Sequence, residues 1–155
     1  TDKMPINFMW IGFIKLILPN CKIIHCKRNA KDNCFSIFKN FFTSQNLNFA
    51  YDLNEIAEYY NLYLEMMEYW NKVLPGFIIN INYEEVVKNS KNEIKTLIKK
   101  SDLSWEDNCL QFYKSKRIIK TASSTQARKK IYNTSINLWK NYEKDIGSFF
   151  KILPN

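Results

Sequence analysis

The 155-residue sequence contains only three glycines and one histidine, and this scarcity excludes several kinds of site. The glycines stand singly at Gly12, Gly76 and Gly147, so the sequence lacks the glycine-rich turn that a Walker-type phosphate loop or a P-loop kinase requires. The four cysteines form no C-x-x-C pair, and with a single histidine they do not have the spacing of zinc ligands. We therefore expect no metal site, and buried free thiols in a reducing compartment, the cytoplasm.

The sequence also shows neither a signal peptide nor a membrane-spanning run. The apolar stretch from Met4 to Leu18 is shorter than the ~20 residues of a transmembrane helix, and Lys15 interrupts it. Pro5 suits the first turn of a helix, and Pro19 prevents that helix from continuing. The stretch is predicted to be a buried helix, with no membrane partner.

The bulk composition is that of one globular domain. Apolar residues make up 46% of the chain, which is typical of a folded protein and not of a disordered one. The formal charge of +8 favours acidic partners. Because the lysines are spread along the chain without a dense basic stripe, this charge supports an anionic ligand and is poor evidence for nucleic-acid binding.

The segment from Cys21 to Phe38 carries the main functional signal. Residues 22–26, with Ile23 and Ile24 at their centre, predict a buried parallel strand. Arg28 follows at the carboxyl tip of that strand, and Ser36 lies inside the helix that comes next. A guanidinium, a hydroxyl and the free N–H groups of a helix start suit a phosphate. On spacing alone, an exposed arginine and a serine facing solvent are equally compatible with this segment.

The remaining pattern alternates helices with one further strand, and it predicts an α/β fold with a parallel sheet and right-handed crossovers. Two strands are fewer than such a sheet normally has, so we expect the chain to be the carboxyl-terminal part of a larger domain. The predicted elements are a helix capped by Asp52 and Glu55, a strand over Phe77–Tyr83, helices opened by Ser90…Glu93 and Ser104…Asp107, and a final helix through Leu138 and Phe149.

Five segments, in order, resemble the sulfotransferase family, specifically the branch of bacterial tetratricopeptide-linked and tyrosylprotein sulfotransferases. They are TDKMPINFMWIG (1–12), PNCKIIHCKRNAKDNCFSIF (19–38), YDLNEIAEYYNLYLEMMEYW (51–70), NYEEVV (82–87) and TASSTQARKKIYNTSINLWKNYE (121–143). The resemblance implies a helix-rich P-loop-type fold, with a three-layer parallel sheet and helices on both faces. It also implies a single sulfotransferase-like domain over residues 1–155, truncated at its N-terminus.

The resemblance further implies a nucleotide donor, 3′-phosphoadenosine 5′-phosphosulfate, whose product is adenosine 3′,5′-bisphosphate. Arg28 and Ser36 match the pair that grips the 3′-phosphate of this donor. Tyr83 matches a tyrosine near the nucleotide. The segment that closes over the donor is matched by Gln126, Arg128 and Lys129.

For the reaction itself, the resemblance assigns an active-site lysine to Lys3 and a serine beside the reacting sulfuryl group to Ser123. Sulfuryl transfer resembles phosphoryl transfer, in that charge builds on the leaving oxygen, so hydrogen-bond donors at that oxygen accelerate it without a metal. The resemblance implies that the acceptor is a hydroxyl, of a peptide tyrosine or of a small molecule. Without the family, Lys3 reads as a solvated lysine, Tyr83 as an inward-facing strand residue, and residues 128–130 as an exposed basic turn.

The sequence departs from the family pattern in several places. Ala30 and Lys130 stand where proline is usual, which loosens the phosphate turn and the covering loop. The glycine-rich loop for the 5′-phosphosulfate and the glutamate base are absent, so we expect little or no turnover from these residues alone. The alternatives are a non-catalytic module that binds adenosine 3′,5′-bisphosphate and, less favoured, a nucleic-acid-binding domain.

Overall fold

The computed structural model describes residues 1–42, 45–115 and 128–154, and over these ranges the chain is helix-rich with one small parallel sheet. The α-helices are α1 (Ile11–Ile17), α2 (Ala30–Phe38), α3 (Leu53–Val73), α4 (Tyr83–Lys88), α5 (Ser90–Lys100) and α6 (Glu143–Ile152). The strands are β1 (Ile23–Lys27) and β2 (Ile78–Asn82). Short 3₁₀ helices cover Pro5–Trp10, Gln45–Tyr51, Asp107–Lys114 and Leu138–Tyr142.

The two strands run parallel, with Lys27 opposite Asn82 at the last paired position. The α/β class is therefore confirmed, and both strands lie within one residue of their predicted bounds. Tyr83 is the exception, because it begins α4 and does not end β2. Glu84 and Glu85 follow it in the first turn of α4, where carboxylates are favoured by the helix dipole. The three-layer arrangement and the domain limits remain predictions.

Two helices begin at side-chain caps, and the sequence pattern predicts the second of them. Asn29 accepts a hydrogen bond from the Asp32 N–H at the start of α2. Asp52 accepts from the N–H groups of Asn54 and Glu55 at the start of α3, so this predicted cap is confirmed.

The other two predicted caps are wrong. Ser90 is the first residue of α5 itself, and that helix has no side-chain cap. The 3₁₀ helix Asp107–Lys114 begins after Glu106, also without a side-chain cap. Asp107 instead accepts a hydrogen bond of 2.9 Å from the indole Nε1 of Trp105, a local partner that replaces the predicted cap.

The core consists of two clusters, one among α2, α3 and α6 and a smaller one between α1, α3 and β2. Met67 is buried in the smaller cluster, with Trp70 packed against it, and Trp139 packs against the larger one. Gly12 allows Trp70 to approach α1, because a Cβ at Gly12 would lie 2.7 Å from the indole ring.

The prediction of a buried helix over Met4 to Leu18 is wrong in its burial. Ile11 is the one buried residue of α1, and most of the neighbouring apolar side chains are exposed. A seven-residue helix contacts the smaller core cluster through one face, which leaves the other faces open. The exposed side chains are those of Met4, Met9, Trp10, Phe13, Leu16, Ile17 and Leu18.

The cysteines are free, but Cys34 alone among them is buried, and Cys26 is exposed. Burial raises the pKa of the Cys34 thiol to about 12, which keeps it protonated and inert. Within the described ranges, no helix combines the length and apolar character needed to cross a membrane. The cytoplasmic location remains a prediction.

Candidate functional site

The carboxyl end of the sheet brings two of the predicted site residues together. Arg28 directly follows β1 and Tyr83 directly follows β2, and parallel strands end at the same edge. The Cζ carbon of Arg28 lies 5.1 Å from the centroid of the Tyr83 ring. This is a cation–π contact, and it holds the guanidinium against the aromatic face. Open parallel sheets commonly bind ligands at this edge.

The guanidinium of Arg28 is incompletely paired. Its Nη2 donates a hydrogen bond of 2.7 Å to the backbone oxygen of Ser135. Its Nε is buried and has no hydrogen-bond partner among the residues that the structure describes. A buried donor without a partner costs roughly 1–3 kcal/mol, so a bound anion that accepts from Nε would remove that cost.

The hydroxyl of Tyr83 is kept in its protonated form. Burial raises its pKa above the usual value, and Tyr132 and Glu84 act in the same direction. The Arg28 charge and a hydrogen bond with Ser135 lower the pKa in part. Because burial dominates, the hydroxyl remains a hydrogen-bond donor beside the guanidinium.

The turn after Arg28 is tied to α4. The N–H of Asn29 donates a hydrogen bond of 2.9 Å to Oε1 of Glu84, and the side chain of Asn29 caps α2. One N–H group of this turn therefore already donates to a carboxylate oxygen. The contact shows that an anionic oxygen can bind at the turn, and it also places a negative charge close to Arg28.

Asp32, in the first turn of α2, does more than favour the helix dipole. It is 2% exposed, and its carboxylate accepts hydrogen bonds from the backbone N–H groups of Asn137, at 2.6 Å, and Trp139, at 3.1 Å. The sequence pattern alone indicates neither these partners nor the contact of Ser135 with Arg28. Neither residue shows a local sequence signal for a partner more than a hundred positions away.

Ser36 and Lys3 are not joined to this pair by a described hydrogen bond. Ser36 lies half-buried in α2, where its backbone oxygen accepts from Nδ2 of Asn40 at 2.6 Å. Lys3 is exposed in the extended segment that precedes Pro5–Trp10. Their assigned roles remain predictions.

The predicted covering segment is described only in its last part. Arg128 and Lys129 are exposed, and Nη1 of Arg128 donates a hydrogen bond of 2.8 Å to the backbone oxygen of Ser115. Ser123 and Gln126 lie outside the described residues. In the described ranges, no group of three or more histidine, cysteine, aspartate or glutamate side chains is placed to hold a metal ion.

Comparison with known proteins identifies the family. The chain is 39% identical over 155 residues to an uncharacterized protein of Aquifex aeolicus (strain VF5), an alignment that covers 99% of this chain and 20% of that protein. The chain thus spans about a fifth of the length of this relative. A sequence model of the sulfotransferase family matches residues 1–107, a range that contains Lys3, Arg28, Ser36 and Tyr83. The chain therefore belongs to the sulfotransferase family.

Proposed function

We propose that this chain binds 3′-phosphoadenosine 5′-phosphosulfate, with its 3′-phosphate on Arg28, for transfer of the sulfuryl group to an acceptor hydroxyl. The observation that carries the proposal is the buried, unpartnered Nε of Arg28 at the carboxyl end of the sheet. The family match supports sulfuryl transfer at a general level. The chain spans about a fifth of the length of its relative, so the sulfuryl transfer itself is proposed here and does not follow from that match.

The chemistry of the site fits a phosphate. Arginine is permanently charged and presents several N–H groups in one plane, which match phosphate oxygens. The Tyr83 ring restricts the guanidinium from one side, so less conformational freedom is lost when the anion binds. The carboxylate of Glu84 opposes a second anion, and the attraction to Arg28 has to exceed that repulsion.

The other predicted residues complete the donor site in this proposal. Ser36 supplies a hydroxyl to the 3′-phosphate, and Tyr83 contacts the nucleotide. The covering segment with Gln126, Arg128 and Lys129 adds positive charge around the donor. These 155 residues contain no glycine-rich turn, so we propose that they supply the 3′-phosphate side of the site.

Transfer of the sulfuryl group is proposed to depend on Lys3 and Ser123. An ammonium and a hydroxyl at the leaving oxygen stabilise the charge that develops there during in-line transfer. Contacts to the distant 3′-phosphate align the donor and contribute to the rate through positioning. The acceptor in this proposal is a hydroxyl, of a peptide tyrosine or a small molecule.

The test compares two nucleotides that differ in one phosphate. Isothermal titration calorimetry with adenosine 3′,5′-bisphosphate and adenosine 5′-monophosphate gives the contribution of the 3′-phosphate as a ratio of affinities, called here the 3′-phosphate preference. We expect a clear preference in the wild type. Arg28→Ala is expected to reduce it by ~1.5–3 kcal/mol, which is the range for hydrogen bonds to charged groups.

Lys72→Ala is the matched control for this experiment. It also removes one positive charge, from the last turn of α3, which precedes the amino end of β2 and lies away from the carboxyl edge. We expect it to leave the 3′-phosphate preference unchanged. Equal affinity of the wild type for both nucleotides, or an unchanged preference in Arg28→Ala, would contradict the proposal.

A further inference from the structure

Asp32 is the one charged side chain that is fully buried among the described residues. Removing a carboxylate from water costs several kcal/mol unless hydrogen bonds replace the lost solvation. Stabilising the dipole of α2 does not require this burial, because an exposed carboxylate in the first turn has the same effect. The burial of Asp32 therefore needs a second explanation.

The partners of this carboxylate lie in a single short segment. Its Oδ2 accepts from the N–H of Asn137 at 2.6 Å, and its Oδ1 accepts from the N–H of Trp139 at 3.1 Å. Asn137 has a left-handed backbone conformation, with φ of 59°, so the chain turns sharply at this point. Both oxygens of Asp32 thus hold the turn that opens the 3₁₀ helix Leu138–Tyr142.

This turn is connected to Arg28 through Ser135, two residues before Asn137. The backbone oxygen of Ser135 accepts the hydrogen bond from Nη2 of Arg28, at 2.7 Å. Asp32 is also linked to the Arg28 turn on its other side, because its own N–H donates to the side chain of Asn29. Asp32 therefore connects the residue after Arg28, through its backbone N–H, with the segment that holds the guanidinium, through its carboxylate.

We propose that Asp32 is a positioning residue for the 3′-phosphate subsite. It fixes residues 135–139 so that the backbone oxygen of Ser135 accepts the hydrogen bond from Nη2 of Arg28. The buried Nε is then left to donate to the ligand. The inference rests on the proposed function, since it concerns the same site. It differs from a purely structural role because it acts on the affinity for one phosphate group.

The test measures the 3′-phosphate preference in Asp32→Asn. Asparagine has the same shape but one acceptor oxygen, so one backbone N–H loses its partner and the segment loosens. We expect the preference to fall about tenfold, the equivalent of one charge-assisted hydrogen bond. Combined with Arg28→Ala, the same substitution is expected to have no further effect on the preference, because Asp32 acts through Arg28.

Asp52→Ala is the control for lost stability. Oδ1 of Asp52 also accepts hydrogen bonds from two backbone N–H groups, those of Asn54 and Glu55, so alanine removes this cap of α3, but no described hydrogen bond connects Asp52 to residues 135–139. We expect this variant to have a lower melting temperature and an unchanged 3′-phosphate preference. An equal fall in both variants would show a general effect of lost stability and would overturn the inference.

The remaining outcomes separate the inference from the proposed function. A wild-type preference that Asp32→Asn retains overturns the inference alone, whereas a wild type without any preference overturns both. If Asp32→Asn does not fold, amide hydrogen exchange of Asn137 and Trp139 in the wild type decides the question. Adenosine 3′,5′-bisphosphate is expected to slow exchange at both amides, and unchanged exchange at saturation overturns the inference.

Discussion

Two polar clusters lie beside the two-stranded sheet, one at the middle of the strands and one at their carboxyl ends, and they differ in how completely their hydrogen-bonding groups are paired. The inner cluster consists of His25, Asn80 and Tyr63, and the edge cluster of Arg28, Tyr83 and Ser135. Both ring nitrogens of His25 have partners, Oδ1 of Asn80 at 2.7 Å and the hydroxyl of Tyr63 at 2.5 Å. In the edge cluster the buried Nε of Arg28 has none among the described residues. A completed network stabilises a fold, whereas an incomplete one is open to a ligand.

The inner cluster fits a neutral imidazole. Nδ1–H of His25 donates to Oδ1 of Asn80, and Nε2 accepts from the hydroxyl of Tyr63. Burial lowers the pKa of His25, while the hydrogen bond to Asn80 partly offsets this and Lys27 adds to it. Burial also raises the pKa of Tyr63, which keeps its hydroxyl available as a donor.

The largest difference in stability is expected from Tyr63→Phe. The substitution leaves Nε2 of His25 without its donor, so we expect the free energy of unfolding to fall by about 1–3 kcal/mol. Urea unfolding measures this loss, and the 3′-phosphate preference is expected to stay unchanged. Tyr69→Phe is the control, because Tyr69 is 53% exposed. Equal losses in the two variants would show that the hydrogen bond of Tyr63 to His25 contributes no more to the free energy of unfolding than an exposed tyrosine hydroxyl does.

The sheet could be predicted because its signals are local. Pro19 and Asn20 precede the first apolar run, Pro75 and Gly76 precede the second, and long helical patterns separate the two. This arrangement indicates parallel pairing, which the structure has. The exposure of Trp10 and Leu16 could not be predicted, because an apolar run shows that a segment is able to be buried and not which surface covers it.

The candidate site was predictable to a similar extent. Arg28 follows the first predicted strand and Tyr83 ends the second, and the ends of parallel strands converge, so their proximity follows from the sequence. The roles of Asp32 and Ser135 depend on contacts across more than a hundred residues, which packing of the last helices determines. No local motif carries that information. The contact of Glu84 with Asn29 likewise appears only once the two strand ends are placed side by side.

A smaller effect is expected from Tyr83→Phe, which tests the edge cluster. Phenylalanine keeps the ring that contacts Arg28 and removes the hydroxyl that hydrogen-bonds with Ser135. We expect the affinity for adenosine 3′,5′-bisphosphate to fall by about 0.5–1.5 kcal/mol, the usual range for one neutral hydrogen bond. Calorimetry measures this change. A loss as large as that of Arg28→Ala would mean that the hydroxyl, and not the guanidinium, is the main contact.

A still smaller effect on stability is expected from Arg28→Met. Methionine removes the hydrogen bond to Ser135, but it also removes the unpaired Nε, and the two changes oppose each other. We expect the free energy of unfolding to change by less than about 1 kcal/mol, although the 3′-phosphate preference is lost. Denaturant unfolding beside calorimetry checks both. A loss of stability as large as that in Tyr63→Phe would place Arg28 among the structural residues and remove the contrast between the clusters.

The smallest effect is the dependence of stability on pH that His25 contributes. Its pKa in the folded chain lies below the ordinary value of 6.5, so between the two values the unfolded chain binds more protons. The stabilisation by the neutral ring is therefore fully present above about pH 6.5 and decreases as the pH falls towards the folded pKa. Because His25 is the only histidine, urea unfolding between about pH 5 and pH 7 isolates its contribution. His25→Gln retains an acceptor and a donor without titrating, and we expect it to flatten the pH dependence. An equally steep dependence in this variant would assign the effect to carboxylates and would leave the inner cluster without its proposed neutral state.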